Sequence, residues 1–202
     1  LYTLTGHDES SLSDTLTSQI EKENIDIEEL NLVTSEAVPD DANCLMINGP
    51  QKDITADEKD RILDYMEKGG HVLIFTDYTE TDMPNLAELL NNYGLSTSAG
   101  LIFEGNSQHY YPGYPSYLIP RIQSADAVGS MTSKDLVLMP YAQNINISDD
   151  VRSTVSAQPI LQTSSKSYIK TDLKNLTTTE KASGDEEGPF TVGAAVTEDY
   201  ND

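Results

Sequence analysis

Three short polar turns contain the residues best placed to do chemistry, and each follows an apolar run that predicts a β-strand. The turns are Thr5-Gly6-His7-Asp8, Asn48-Gly49-Pro50-Gln51 and Thr76-Asp77-Tyr78. In an open parallel sheet, ligands bind beyond the carboxyl ends of the strands. We therefore expect the three turns to meet at one rim, where an imidazole, carboxylates, amides and backbone N–H groups could bind a polar ligand.

A structural role competes with a binding role throughout this rim. The glycines permit tight turns, while Asn48 and Asp77 can hydrogen-bond to backbone groups. The best catalytic pair that the rim offers is His7 as general base, oriented by Asp8 or Asp77. The predicted ligand-binding residues, from the rim and from a tyrosine-rich loop described below, are Gly6, His7, Asp8, Asn48, Gly49, Asp77, Tyr78, Tyr110, Tyr111 and Tyr114.

Motifs of the common enzyme classes are missing from the sequence. The turn at Asn48 lacks the Ser, Cys or Thr of a nucleophile elbow, and neither a phosphate loop nor a GxGxxG fingerprint occurs. The histidines His7, His71 and His109 show no HxH or HExxH spacing, so no zinc site is expected. Cys44 lies in a predicted buried strand and is interpreted as a small hydrophobe. No catalytic residue, metal ligand or cofactor is therefore assigned.

The charge of the chain restricts its partners. Asp and Glu number 34 against 12 Lys and Arg, which gives a net charge of -22 and a pI near 4.2. Such a surface repels phosphate backbones and anionic lipids, so nucleic-acid binding is disfavoured. A solvated acidic surface explains the charge, with a cationic partner or Ca²⁺ as the alternative, although no EF-hand loop is present.

The rim depends on a βαβ unit at the centre of the first half of the chain. Continuously apolar runs at residues 44–48 and 71–76 predict strands that are buried on both faces. Between them, Thr55 and Glu58 form a capping-box pattern at the start of a predicted helix over residues 55–68, which ends at Gly69. A helical crossover makes the two strands parallel, and this commits the fold to α/β.

The remaining elements extend this unit in both directions. We predict a strand at residues 1–5, a helix from residue 11 or 13 to residue 22, a strand at 26–33 and a third helix between Pro84 and Gly94. The resulting βαββαβα order predicts a doubly wound, mainly parallel sheet of the flavodoxin or glutamine-amidotransferase-like type. We expect one α/β domain over residues 1–202, with a core in 1–104 and a β-rich completion in 105–202.

The second half of the chain has a different pattern. Residues 95–104 predict one strand, and short strands are expected at 117–122, 136–140, 145–147, 159–164 and 190–196, with a connection of low order at 165–188. Between the first two lies a loop, residues 105–117, in which four tyrosines fall within eight residues among prolines. This loop is interpreted as an aromatic platform for sugars, a surface for a protein partner, or a local core of packed rings.

Several phrases of the sequence, taken in order, resemble one family. They are YTLTGHDE, VPDDANCLMINGPQKDITADEKDRILDYMEKGGHVLIFTD, PNLAELLNNYGL, VLMPYAQNI and GPFTVGAAV. Together they resemble the GldG-like auxiliary proteins of uncharacterised ABC transport systems. The resemblance implies an extracytoplasmic α/β module, similar to the amino-terminal domain of an intraflagellar transport subunit and to amidotransferase-like folds without their catalytic cysteine. It also implies an ABC permease or another membrane component as partner.

Two hypotheses of function follow. The first is a non-enzymatic, extracytoplasmic binding or interaction module of an ABC transport complex, anchored to the cell membrane through segments outside this sequence. No apolar run here approaches a membrane span, and the chain begins inside a predicted strand, so we expect a longer protein. The alternative is a hydrolase or transferase acting on a polar substrate such as a glycan, with His7 and Asp77 at the rim and the tyrosine loop as platform.

Overall fold

A computed structural model describes residues 1–199 of the chain, which forms two units, Leu1–Leu89 and a second one that begins at Leu90. One parallel sheet characterises the first unit, and antiparallel sheets characterise the second. The mixed α/β class predicted from the sequence is confirmed. The single domain expected over residues 1–202 stays a prediction, and its last three residues lie outside the described part of the chain.

The elements up to residue 91 follow the predicted βαββαβα order. They are β1 Tyr2–Leu4, α1 Asp14–Lys22, β2 Glu28–Leu30, β3 Cys44–Asn48, α2 Ala56–Glu67, β4 His71–Phe75 and α3 Pro84–Asn91. Their sheet has the strand order β2-β1-β3-β4, and the pairs within it are parallel. The predicted strand at residues 26–33 is shorter in the structure, because only its central residues pair with β1.

The central βαβ unit forms as its local signals predict. The Thr55 hydroxyl accepts a hydrogen bond from the Glu58 N–H at 3.2 Å, and the Glu58 carboxylate accepts one from the Thr55 N–H at 2.8 Å. This capping box satisfies two N–H groups at the start of α2. Beyond the helix, Gly69 adopts a φ of 89°, a conformation that favours glycine. Strands β3 and β4 then pair in parallel, with Met46 opposite Leu73.

The prediction that β4 is buried on both faces is wrong. Strand β3 lies inside the sheet and buries Leu45, Met46 and Ile47, but β4 is the last strand of the sheet order. Alternate residues of β4 therefore face solvent, and Leu73 is 42% and Phe75 44% exposed. An apolar run indicates that a segment can be buried, but it does not say whether both of its faces are covered.

One apolar core holds the first unit together. Helix α2 contributes Ile62, which is fully buried, while Leu63 and Met66 of the same stripe pack at its margin. All four strands of the sheet contribute to this core, and β4 does so through the partly buried Val72 and Ile74. Its buried residues are Leu4, Leu30, Leu32, Val38, Leu45, Ile47, Ile54, Ile62, Leu86 and Leu89.

Asp53 fixes the beginning of α3 from the loop before α2. Its carboxylate accepts hydrogen bonds from the backbone N–H groups of Asn85 and Leu86, both at 3.0 Å, and from the Asn85 side chain at 2.7 Å. These N–H groups have no partner within the helix, so the carboxylate acts as a cap. We expect Asp53→Ala to lower the free energy of unfolding by about 1–2 kcal/mol in urea denaturation. The matched substitution Asp60→Ala, on the exposed face of α2, should change it by less than about 0.5 kcal/mol.

The second unit is built from short antiparallel strands. The strands are β5 Leu95–Thr97, β6 Leu101–Phe103, β7 Tyr110–Tyr111, β8 Tyr114–Leu118, β9 Arg121–Ile122, β10 Met139–Pro140, β11 Ile145–Ile147, β12 Val155–Gln162, β13 Tyr168–Lys170 and β14 Thr191–Glu198, with a 3₁₀ turn at Asp126–Val128. The sheets have the orders β14-β12-β9, β10-β8-β7, β13-β6 and β11-β5. The core of the unit contains Ile102, Leu118, Ile169, Phe190 and Val192.

Two segments of this unit differ from the prediction: residues 95–104 form two strands where one was predicted, and residues 165–188 contain a strand where low order was predicted. The strand predicted over residues 95–104 is two strands, because Gly100 has a φ of 90° and breaks the extended backbone between them. These strands pair with different partners, β5 with β11 and β6 with β13. The connection at 165–188, predicted to have low order, contains β13, whose Tyr168, Ile169 and Lys170 are all buried. Its polar composition concealed a strand whose apolar residues are few.

The tyrosine-rich segment also differs from its prediction as a loop. It contains the hairpin β7–β8, in which Pro112 and Gly113 form the turn and Gly113 has a φ of 86°. Proline interrupts the hydrogen-bond ladder of a strand, and here Pro112 stands in the turn while Pro115 is the second residue of β8, next to that turn. The hairpin therefore holds the tyrosines on a regular β surface.

Candidate functional site

The turns after β1, β3 and β4 meet at one rim, as predicted. The Gly49 N–H donates to the Phe75 carbonyl and the Ser10 N–H to the Asn48 carbonyl, both at 2.8 Å. The N–H groups of Gln51 and Lys52 donate to the His7 carbonyl at 2.9 and 3.1 Å. Backbone hydrogen bonds thus tie the three turns together, and the convergence is confirmed. That the rim binds a ligand stays a prediction.

Several predicted rim residues serve the turns themselves. Gly49 is buried with a φ of 62°, and a Cβ at this position would lie 2.6 Å from the Asp77 carboxylate. The side-chain amide of Asn48 donates to the Ser10 carbonyl at 2.6 Å. Gly6 has a φ of 122°. Asp8 and Asp77 are exposed and Tyr78 is partly exposed, so these side chains reach solvent along this edge.

His7 is buried between two glutamates. Its Nδ1 lies 2.9 Å from a Glu9 carboxylate oxygen, and its Nε2 lies 3.1 Å from a carboxylate oxygen of Glu58. The residue is 4% exposed. A neutral imidazole carries one N–H, so both contacts are hydrogen bonds only when the ring or a carboxyl group supplies a second proton. The geometry therefore places one imidazole between two carboxylates inside the first unit.

Glu58 connects this cluster to the capping box. Burial by itself would raise the pKa of Glu58, but hydrogen bonds from the Thr55 backbone and hydroxyl and the neighbouring His7 lower the pKa below its usual value. The same carboxylate oxygen receives the Thr55 N–H and the Thr55 hydroxyl, each at 2.8 Å. The other oxygen of Glu58 is buried and has no hydrogen-bond partner within residues 1–199. The ionised carboxylate is thus stabilised at one oxygen only.

The catalytic pair proposed from the sequence does not form. Both ring nitrogens of His7 are occupied by Glu9 and Glu58, while Asp8 forms an exposed ion pair with Lys52 at 2.7 Å. A general base must reach the proton that it abstracts, and a buried ring with two carboxylate partners does not meet this condition. Sequence reasoning missed both glutamates as partners of His7. The capping-box pattern marked Glu58, but its contact with His7 joins residues 51 positions apart.

The second group of predicted residues lies on the hairpin of the second unit. Here the rings of Tyr111, Tyr114, Tyr117 and Tyr141 form a continuous row, which we call the tyrosine surface. Neighbouring ring centroids along this row are 6.0, 5.2 and 5.2 Å apart. These distances are typical of favourable aromatic pairs. A hydrogen bond with the Tyr141 hydroxyl at 3.5 Å raises the pKa of Tyr117.

The tyrosine surface faces solvent. Tyr111, Tyr114 and Tyr141 are 52%, 54% and 52% exposed, so the interpretation of these rings as a local core is wrong. Tyr110 is only partly exposed and pairs across the hairpin with Leu118; a register shift at Tyr111 separates it from the row. Tyr141 was not predicted. It follows β10, which pairs with β8 at Pro140 and Tyr117 and thereby brings this ring to the row.

Two general features of the described residues complete the description. Within residues 1–199, no helix combines the length and the apolar character that crossing a bilayer requires. The same part of the chain holds no group of three or more His, Cys, Asp or Glu side chains arranged to bind a metal ion.

The fold and its surfaces define the class of protein: a mixed α/β protein with an exposed aromatic surface. The chain belongs to the family described as "ABC-type uncharacterized transport system", whose sequence profile matches residues 1–201. It is thus an auxiliary component of an ABC transport system, which implies association with the membrane components of the transporter. This confirms the transporter association expected from the sequence phrases.

One solved structure supports the fold assignment. The structure named "mmIFT52 N-terminal domain" is similar to this chain, with a TM-score of 0.62 over 83% of this chain and 74% of that one. The two sequences are 15% identical, so the similarity concerns the fold alone. No curated protein matches the sequence.

Proposed function

We propose that this chain is a GldG-like, non-enzymatic interaction module of an ABC transport complex, and that it binds a membrane component of the transporter through the tyrosine surface. The observation that carries the proposal is the row of four tyrosine rings, three of them more than half exposed. Membership of the transporter family supplies the class of partner.

The physical properties of the row suit a protein partner. Tyrosine is enriched at interfaces because its ring buries a large apolar area while its hydroxyl keeps a hydrogen bond. Ordering a tyrosine side chain costs little conformational entropy, and here the ring contacts and the short hairpin already restrict the side chains. The row is therefore organised before a partner binds.

The first unit supports the non-enzymatic part of the proposal. Its one candidate base, His7, is held by Glu9 and Glu58 in the interior. The Asp77 carboxylate lies close to Gly49 in the neighbouring turn, so that a Cβ at Gly49 would collide with it. The arrangement supports a structural role for the rim and gives no support to the alternative of a hydrolase or transferase.

Two finer assignments belong to the same proposal. The parallel order β2-β1-β3-β4 corresponds to the beginning of a flavodoxin-like sheet, and we propose a doubly wound, amidotransferase-like arrangement on this basis. We also propose an extracytoplasmic position, with anchoring by segments of the full-length protein. The resemblance to GldG-like proteins supports this position. Labelling of an introduced surface cysteine by a membrane-impermeant reagent in intact cells tests it, and labelling only after lysis would overturn it.

Replacing Tyr114 and Tyr141 together with serine tests the interaction. The double variant loses two exposed rings from the row, so we expect the affinity for the purified membrane components to fall at least tenfold, or about 1.4 kcal/mol. Binding is measured by biolayer interferometry with the full-length transporter in detergent. Circular dichroism should show an unchanged fold, because both side chains are more than half exposed.

The control is Tyr78→Ser, which removes a tyrosine from the rim of the first unit. It should leave the affinity within about twofold, since the rim is not the proposed interface. Unchanged binding by the double variant would refute the tyrosine surface as the interface. A loss with Tyr78→Ser alone would assign the interface to the rim instead.

A further inference from the structure

A small polar pocket lies in the second unit, and none of its lining residues belongs to the tyrosine surface. It has a cavity volume of about 230 Å³ and is lined by polar and basic side chains. We propose that this pocket binds a small anionic ligand that carries a carboxylate or phosphate group. The inference does not depend on the proposed transporter interface. The lining residues that the argument uses are Asn106, Arg121, Gln123, Gln162, Ser165 and Lys166.

Strand pairing gathers one wall of the pocket. Strands β9 and β12 are antiparallel, with Arg121 directly opposite Gln162 and Ile122 opposite Leu161. Directly opposed residues of an antiparallel pair point to the same face, and so do residues two apart along one strand. Arg121 and Gln162 therefore present their side chains on a common face, and Gln123, which follows β9, donates its N–H to the Ile160 carbonyl at 2.8 Å. The neighbouring apolar residues Ile122 and Leu161 take the other face.

His109 orients the guanidinium of this wall. Its Nδ1 lies 3.2 Å from the Ile119 carbonyl, which only accepts hydrogen bonds, so Nδ1 carries the proton of the contact. Nε2 of a neutral ring is then an acceptor, and it lies 3.4 Å from an Arg121 guanidinium nitrogen. This contact uses one N–H of the five that an arginine offers. The remaining donors of Arg121 are available to a planar anionic group.

The opposite wall is fixed by a buried carboxylate. Glu104 is 2% exposed, and its oxygens accept from the Ser164 hydroxyl at 2.6 Å, the Ser164 N–H at 3.0 Å and the Asn106 N–H at 2.9 Å. These bonds join the loop after β6 to the segment that carries Ser165 and Lys166. The Lys166 N–H donates to the Ser164 hydroxyl at 3.1 Å. The backbone from which the lysine side chain extends is therefore held in place.

The charge of the pocket contrasts with that of the chain. The chain has a net charge of -22, yet the lining contains two cationic side chains and no Asp or Glu. Other basic residues of this unit are neutralised, for example Arg152 by Glu198 at 2.8 Å and Lys170 by Asp185 at 2.7 Å. Within residues 1–199, Arg121 and Lys166 form no ion pair with a carboxylate. Two exposed cations without a carboxylate partner favour an anionic ligand.

The size and the donors of the pocket define the ligand further. A cavity of about 230 Å³ is smaller than the usual range for drug-sized molecules, so a small molecule or a single charged group fits it. Arginine and lysine only donate, which requires acceptor oxygens on the ligand, and the glutamine amides can bind neighbouring hydroxyls. Phosphate monoesters and sugar acids share this chemistry.

Titration of the whole chain with matched ligands tests the inference. Inorganic phosphate, glycerol phosphate and glucuronate are added at low salt and followed by ¹H–¹⁵N NMR, with glucose as the neutral counterpart of glucuronate. We expect saturable shifts at residues 121–123 and 162–166 with at least one anion and none with glucose. Arg121→Gln should weaken the binding at least tenfold, and 0.3 M NaCl should also weaken it.

The variant Lys134→Gln is the matched control for charge. Lys134 is exposed in the same unit and outside the pocket lining, so its replacement should leave the affinity unchanged. Lys166→Gln repeats the test at the other cation. It keeps the proposal testable even if Arg121→Gln disturbs folding. Equal weakening by Lys134→Gln, equal shifts with glucose, or no shifts with any of the anions would overturn the proposal.

Discussion

Replacing Gly100 with alanine is expected to destabilise the second unit by about 3 kcal/mol or more, because two costs act at one buried position. The residue has a φ of 90°, which is unfavourable for any residue with a Cβ and costs about 1–2 kcal/mol. A Cβ would also collide with the Lys170 backbone carbonyl oxygen and lie 2.9 Å from the Thr171 Cα. Both atoms belong to the backbone, one at the last residue of β13 and the other at the residue after it. The collision can therefore be relieved only if β6 and β13 move apart.

Hydrogen exchange of the backbone amides measures this effect where it should occur. Protection should fall most in residues 101–103 and 168–170, while the amides of the first unit keep theirs. The matched control is Gly113→Ala in the tyrosine hairpin. Gly113 has a similar φ of 86°, but a Cβ there would have no atom within 4 Å. It should cost only the conformational part, about 1–2 kcal/mol. Equal losses in the two variants would show that the collision with Lys170 contributes nothing.

The sequence specifies the first unit more fully than the second because the first depends on local signals. A capping box, a helical stripe and a terminal glycine mark α2 within 15 residues, and a helical crossover then dictates that β3 and β4 are parallel. The exposure of Leu73 and Phe75 depends instead on which elements cover β4. That property belongs to the assembled sheet, and the composition of the strand does not contain it.

Many strands of the second unit have only two or three residues, and their pairing joins distant segments. Strand β13 contains only Tyr168–Lys170, and it is a strand because β6 lies beside it, 65 residues earlier at Tyr168 and Phe103. Its own residues carry little periodicity. The same reason explains why Tyr141 was missed, since its contact with Tyr117 comes from the pairing of β10 with β8.

The candidate sites also differ in how far the sequence predicts them. Topology predicted that the turns at Gly6, Gly49 and Asp77 would share a rim, and the hydrogen bonds confirm this. Topology did not predict the chemical state of the rim, because His7 is occupied by glutamates that local sequence does not associate with it. The proposed anion-binding pocket had no signal in the sequence. Its two cations are 45 positions apart, and only the strand register and Glu104 bring their segments into one lining.

Substituting glutamine for Glu58 is expected to lower the free energy of unfolding at pH 7 by about 3 kcal/mol, the usual cost of breaking a buried ion pair at one partner. The variant keeps an acceptor for the Thr55 N–H but removes the charge beside His7. His7 would then be left in the interior with Glu9 as its remaining carboxylate partner. The substitution Glu67→Gln, at an exposed position of the same helix, should change the stability by less than about 0.5 kcal/mol.

The pH dependence of this difference separates loss of charge from loss of packing. Burial acts to raise the pKa of Glu58, but the hydrogen bonds from the Thr55 backbone and hydroxyl, together with the neighbouring His7, hold it below its usual 4.5. A carboxylate with a lowered pKa in the folded state contributes stability above 4.5, and this contribution is lost as the pH falls through the folded value. The difference between wild type and Glu58→Gln, measured by urea denaturation, should therefore shrink as the pH falls below 4.5. A difference that persists unchanged to pH 3 would mean that the carboxamide disturbs packing, and that the His7 cluster does not depend on the charge of Glu58.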